Sequence, residues 1–239
     1  MGLFDRFKKD SSTPPPPSGP DIAALRDKLV NLVFDGVRSP DNRIRVEDAV
    51  GAAAVIVAER CIDAAGNFPL RDHELTPGSR VLSDTVNGLI CGDELEIAKI
   101  PPQSVVGTLR ACLDPKLYTD AEFPDLKEVM TTFLNGISAE GIEWGRVPLS
   151  VGKDHEPFIL PLRVGFETRG IVDSILESVG GDKARCLSIA TQSLAAILTQ
   201  VAGAIDHKLV LTLALETING MAKTAPMTEK AMKAAQESP

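Results

Sequence analysis

Three histidines occur in the 239 residues, and each follows an aspartate: Asp72-His73, Asp154-His155 and Asp206-His207. The first two stand in the same tripeptide, Asp-His-Glu, at 72–74 and 154–156. Imidazole and carboxylate together make the mixed nitrogen and oxygen set that zinc, manganese or iron accepts. If the two loops meet, His73, Glu74, Asp154 and His155 are therefore the candidate metal ligands. Both tripeptides lie in polar, turn-like stretches, where Asp and Glu are also expected simply as solvated loop residues. No residue pattern specifies a cofactor.

Two further constellations could bear chemistry. Asp206-His207-Lys208 interrupts a long apolar run, so Asp206 could orient the imidazole for acid–base work. The blander alternative is a polar face, or a break between two helices. Glu59-Arg60 closes another apolar run, where it reads as a solvated rim rather than a buried catalytic pair. The phosphate-binding G-x-x-x-x-G-K-[ST] loop, the G-x-G-x-x-G turn, the G-x-S-x-G elbow and the H-E-x-x-H zinc pair are all missing from the sequence. Nucleotide-dependent and zinc-peptidase chemistry thus lose their usual supports.

The charge balance argues in the same direction. A net charge of −8 opposes general affinity for phosphate backbones, which needs a basic face that releases counterions, so no nucleic-acid partner is expected. The four cysteines, Cys61, Cys91, Cys112 and Cys186, are scattered through apolar segments without a C-x-x-C pair. They read as small hydrophobes kept reduced in a cytoplasm. The basic start, Met1 to Lys9, lacks the apolar run of a cleavable signal. In the run 187–218, Asp206, His207 and Lys208 fall well inside any would-be membrane span, so a buried helix is the expectation there.

The elements that must position these residues follow from apolar spacing. With 44% hydrophobic but only 4% aromatic residues, Ala, Leu, Val and Ile must build the core. Ile22, Leu25, Leu29, Leu32 and Val33 form one helical stripe after Gly19-Pro20, ending near Gly36. A second helix spans Ile44 to Ala65; its Val50–Ala58 stretch is apolar all round and should be the central helix. Thr76-Pro77 reads as the start of a third, with Leu82, Val86, Leu89 and Ile90 as its stripe. Val105–Leu113 and Leu126–Ile137 supply two more; for the latter, a capping box at Thr119 and Glu122 competes with a later start imposed by Pro124. Between 139 and 166 the periodicity breaks. Val147–Val151 and Phe158–Val164 could pair there as an irregular or edge hairpin, limited by Pro148 and Pro161. Ile171–Val179 is helical again, and after Gly180-Gly181 a long final helix runs from an Asp182 cap to about Met221.

The expected fold is mainly α, a bundle of about seven helices with a small irregular or β-hairpin insertion at about 140–166. Residues 1–19, with four consecutive prolines, form a disordered proline-rich leader, 20–223 a single helical domain and 224–239 a mobile tail. Within the leader, Leu3, Phe4 and Phe7 can share a helical face opposite Arg6, Lys8 and Lys9, suited to a partner groove or an anionic membrane surface. On the final helix, 187–219, Leu194, Leu198, Val201, Ile205 and Leu209 form one seam, while Ala190, Ile197, Ala204 and Leu211 cover another face. Two apolar faces require two packing partners, one of which could be a second copy. The expected function is a non-enzymatic interaction or regulatory protein acting as a homo-oligomer. The alternative is an enzyme or a small-ligand or metal-binding protein with a site between helices or under 139–166.

Overall fold

A computed structural model describes residues 20–66, 75–137 and 143–229. The proline-rich leader, its nonapeptide Met1–Lys9, and His73-Glu74 lie outside the described residues. Among the described residues there are eight α-helices and no β-strand: α1 Ile22–Val37, α2 Val46–Ala64, α3 Asp84–Cys91, α4 Val105–Cys112, α5 Leu126–Ile137, α6 Pro161–Leu176, α7 Lys183–Val201 and α8 His207–Met221. None of them is long and apolar enough to cross a membrane.

Helix α2 occupies the centre, as its all-apolar stretch predicts. Every residue from Glu47 to Ile62 is buried, and α1, α3, α6, α7 and α8 all pack against it. Its run of alanines and Gly51 lets neighbours come close; a Cβ on Gly51 would lie 3.1 Å from Pro157. Fully buried aliphatic side chains close the core around it, among them Leu29, Leu109, Leu194, Ile197, Leu198 and Leu211. Each contributes roughly 1.5–3 kcal/mol by leaving water.

Several boundaries differ from the spacing-based expectation, each for a local reason. The first helix is capped by Asp21, which accepts from the Ala24 N–H at 3.1 Å. The third helix does not start at Thr76-Pro77. The N–H groups of Gly78 and Val81 instead donate to the carbonyls of Ala225 and Lys223, both at 2.8 Å, and Ser83 caps α3 six residues beyond Pro77. Pro124 prevails over the capping box, so α5 begins at Leu126. The hairpin is absent: Pro161 opens α6 directly, and the residues before it form an irregular strap over α2 and α8. The single helix expected over 187–219 is broken in two. Gly203 adopts a left-handed φ of 87°, and Asp206 caps α8 by accepting from the Leu209 N–H at 2.8 Å.

That break changes how the two apolar seams are covered. Helix α7 packs on α1, α2 and α4 while α8 packs on α2 and α5, so Ala190, Leu194, Ile197, Leu198 and Leu211 are all buried within one chain. The folded part also extends past the expected boundary at 223, because Thr224, Ala225 and Met227 are buried.

Gly220 on α8 is the tightest point beneath the strap, since a Cβ there would lie 2.7 Å from Val147. Gly220→Ala should therefore lose about 1–3 kcal/mol through overpacking, despite alanine's better helix propensity. The urea midpoint of the variant checks this.

Candidate functional site

The strap from 143 to 160 is held by charged side chains that reach it from α2 and α8. Asp48 Oδ1 accepts from the N–H groups of Phe158 and Ile159 at 2.6 and 3.2 Å. Glu216 Oε2 accepts from the Ser150 N–H at 2.7 Å. Arg45 donates to the carbonyls of Asp154 and Glu156 and lies 4.0 Å over the Phe158 ring. Backbone groups that a hairpin would have paired are thus satisfied by carboxylates and a guanidinium, which makes each such bond stronger than a neutral one.

The predicted ligands are distributed as follows. His155 Nδ1 sits 2.9 Å from Glu47 Oε1, and Asp154 contributes its backbone carbonyl to Arg45. Among the described residues no group of three His, Cys, Asp or Glu side chains converges. His207 stacks on Tyr118 with ring centroids 4.7 Å apart, while Asp206 is engaged as the α8 cap. The break between two helices is therefore what Asp206-His207-Lys208 marks. The cysteines are free; Cys61, Cys91 and Cys186 are buried and Cys112 is exposed. Burial pushes the Cys61 thiol up to about 12, far from a reactive thiolate.

Glu59 and Arg60, expected at a solvated rim, are each only 3% exposed. Arg169 grips Glu59 through two nitrogens at 2.8 and 3.1 Å and donates a third bond to the Met227 carbonyl at 3.1 Å. Arg60 Nη1 lies 3.0 Å from Asp63 and 2.5 Å from Asp173. Gly165 permits the approach, as a Cβ there would meet Glu59 Oε1 at 3.0 Å. This network ties the end of α2 to α6 and to the chain beyond α8. Its acids and bases are engaged with one another, while Arg60 Nε and Nη2 are buried without a partner among the described residues.

An open cavity of about 410 Å³ lies under the start of the strap, lined by Gly78, Arg80, Glu143, Trp144, Gly145, Arg146 and Thr224. Its floor exists because 78–81 pairs with 223–225. Trp144 is 55% exposed, and its Nε1 donates to the Pro77 carbonyl at 3.3 Å. Gly78 stands against that indole with a φ of 86°; a Cβ would fall 2.8 Å from Nε1. Arg146 gives Nε to Glu143 at 2.6 Å and Nη1 to the carbonyls of Pro157 and Ile159, and Nη2 has no partner among the described residues. Arg80 donates only from Nη1, to the Gly136 carbonyl, and has no ion pair among the described residues. Partial burial pulls its pKa below the ordinary arginine value.

No family model, curated protein or solved structure matches this chain.

Other hollows offer less polar convergence. One of about 560 Å³ beside α4 holds Arg110 and Asp120, already paired at 2.8 and 2.9 Å. A groove of about 330 Å³ between α1 and α6 is mainly apolar, with Phe158, 76% exposed, at its edge. Sequence reasoning marked the 139–166 segment as a possible site but missed Arg80 and Arg146, whose shared cavity depends on contacts between residues far apart in the chain. It also missed Lys223. That ammonium is buried with Nζ 2.5 Å from Asn219 Oδ1 and 5.2 Å from the Phe133 ring centroid, without an ion pair among the described residues.

Desolvation lowers the Lys223 pKa to about 8 from an ordinary 10.5, with Cys91 and Asp84 acting in the opposite sense. Between those values the unfolded chain keeps a proton that the folded chain has lost, so stability rises with pH across that window. Lys223→Met should stabilise the fold near neutral pH, and its advantage should shrink above about pH 8. The two pKa values correspond to a change of roughly 3 kcal/mol by pH 10.5. Urea unfolding of both proteins at several pH values measures it.

Proposed function

We propose that this chain is a non-enzymatic interaction or regulatory protein that acts as a homo-oligomer in the cytoplasm. The observation that carries this reading is the use made of the buried carboxylates. Asp48 and Glu216 accept backbone N–H groups, Glu47 faces His155, and Glu59 holds Arg169. A general acid or base needs a proton partner on a substrate within hydrogen-bond reach, and these groups face the protein's own chain instead. The free cysteines support a reducing compartment.

The seam expected on 187–219 is largely consumed inside the chain, which leaves the α7–α8 corner as the surface for a second copy. Val201, Ala202, Ile205 and Leu209 are partly exposed there, beside a left-handed turn that turns the chain outward. Light scattering behind size exclusion should give twice the chain mass of 25.5 kDa. Leu209→Glu should shift the protein toward the monomer, because an unpaired charge in an apolar contact is costly. A clean 25.5 kDa species at all micromolar concentrations would sink the self-association.

A second reading, a small-ligand-binding protein with its site under the 139–166 segment, is favoured by the cavity of Arg80, Trp144 and Arg146. Its volume falls within the range of ligand pockets. A rise in melting temperature with a member of a chemically broad ligand panel is the expected result, and no shift with any member counts against it.

A further inference from the structure

Resting on that second reading, we infer that the cavity binds a planar organic anion, with its ring on Trp144 and its carboxylate or phosphate oxygens between Arg80 and Arg146. Four features of the site converge on this class of ligand. Both guanidiniums line one hollow, and each has nitrogens that no acceptor among the described residues occupies: Nη2 of Arg146, and Nε and Nη2 of Arg80. A forked guanidinium matches the spacing of carboxylate or phosphate oxygens, so an oxyanion is the partner it fits best. Among the described residues the lining carries two positive charges against one negative, Glu143, and that one is already paired with Arg146, in a chain whose net charge is −8. Arg80 is the cation there with no carboxylate among the described residues.

The aromatic half of the ligand follows from Trp144. An indole with 55% of its surface exposed is open to stacking, and its orientation is set on one edge by the bond to Pro77 and by the missing Cβ of Gly78. Pre-positioned rings and forked donors lower the ordering cost of binding. Thr224 adds no competing donor, because its hydroxyl is given to the Gly220 carbonyl at 2.7 Å. At about 410 Å³ the hollow has room for one ring and one anionic group. The shared chemistry, an oxyanion on a flat ring, covers aromatic carboxylates and aryl phosphates alike.

The chain contains one tryptophan, so its emission reports on this cavity alone. Full-length protein is titrated with benzoate, phenyl phosphate and the neutral benzyl alcohol, following tryptophan emission. The two anions are expected to give saturable changes, benzyl alcohol none, and whichever anion binds more tightly identifies the source chemistry. Arg80→Gln should weaken binding roughly tenfold, the loss of one charge-assisted contact. Because Arg80 also anchors Gly136, a second measurement needs no variant: the ratio of iodide to caesium quenching at Trp144 should exceed that of free N-acetyltryptophanamide, against the sign of the net charge. Benzyl alcohol binding as well as benzoate would overturn the anion assignment and leave the ligand-site reading standing. No saturable response to any of the three, with a quenching ratio at or below that of the free amide, would overturn both.

Discussion

The architecture depends on the burial of α2 from every direction. A helix with no polar face has to be enclosed, and five other helices are recruited to do it. Small residues set the distance of approach, so that alanine and glycine at 49, 51–54 and 58 bring the neighbouring elements close. Enclosure then creates a second demand. The charged residues at the two ends of α2 are drawn below the surface along with the apolar middle, and a buried charge must be paired or hydrogen-bonded.

Each end meets that demand differently. At the start of α2, Glu47 and Asp48 lie in the first turn, where the helix dipole favours negative charge. They take their remaining partners from the strap: two backbone N–H groups for Asp48 and an imidazole for Glu47. At the far end, Glu59 and Arg60 recruit Arg169 and Asp173 from α6. The irregular path of 143–160 is thus a consequence of the core helix. Its backbone groups are claimed by side chains, and no partner strand is required.

Where the strap begins, it meets 78–81, which is itself held by the chain after α8. Three segments distant in sequence close around one hollow, and two arginines and the sole tryptophan end in it. Arg146 illustrates the economy of the arrangement. One guanidinium fastens the strap through Pro157 and Ile159, meets Glu143, and belongs to a residue that lines the cavity.

Much of the helical content was legible in the sequence because 3.6-residue periodicity is a local property. The stripe of α1, the apolar stretch of α5 and the hub role of Val50–Ala58 all follow from residues a few positions apart. What the sequence by itself determined was a mainly helical chain with an apolar central helix and a break in helical periodicity within 139–166, while its end at Pro161 came from the structure. Tertiary structure alone decided that Thr76-Pro77 would not open a helix, that Glu59 and Arg60 would be buried, and that residues 224–227 would belong to the core. Tertiary contacts likewise placed Arg80 beside Trp144 and Arg146. The physical reason is common to these cases. Whether a polar group faces water or a partner depends on which distant segment packs over it, and no local spacing encodes that choice.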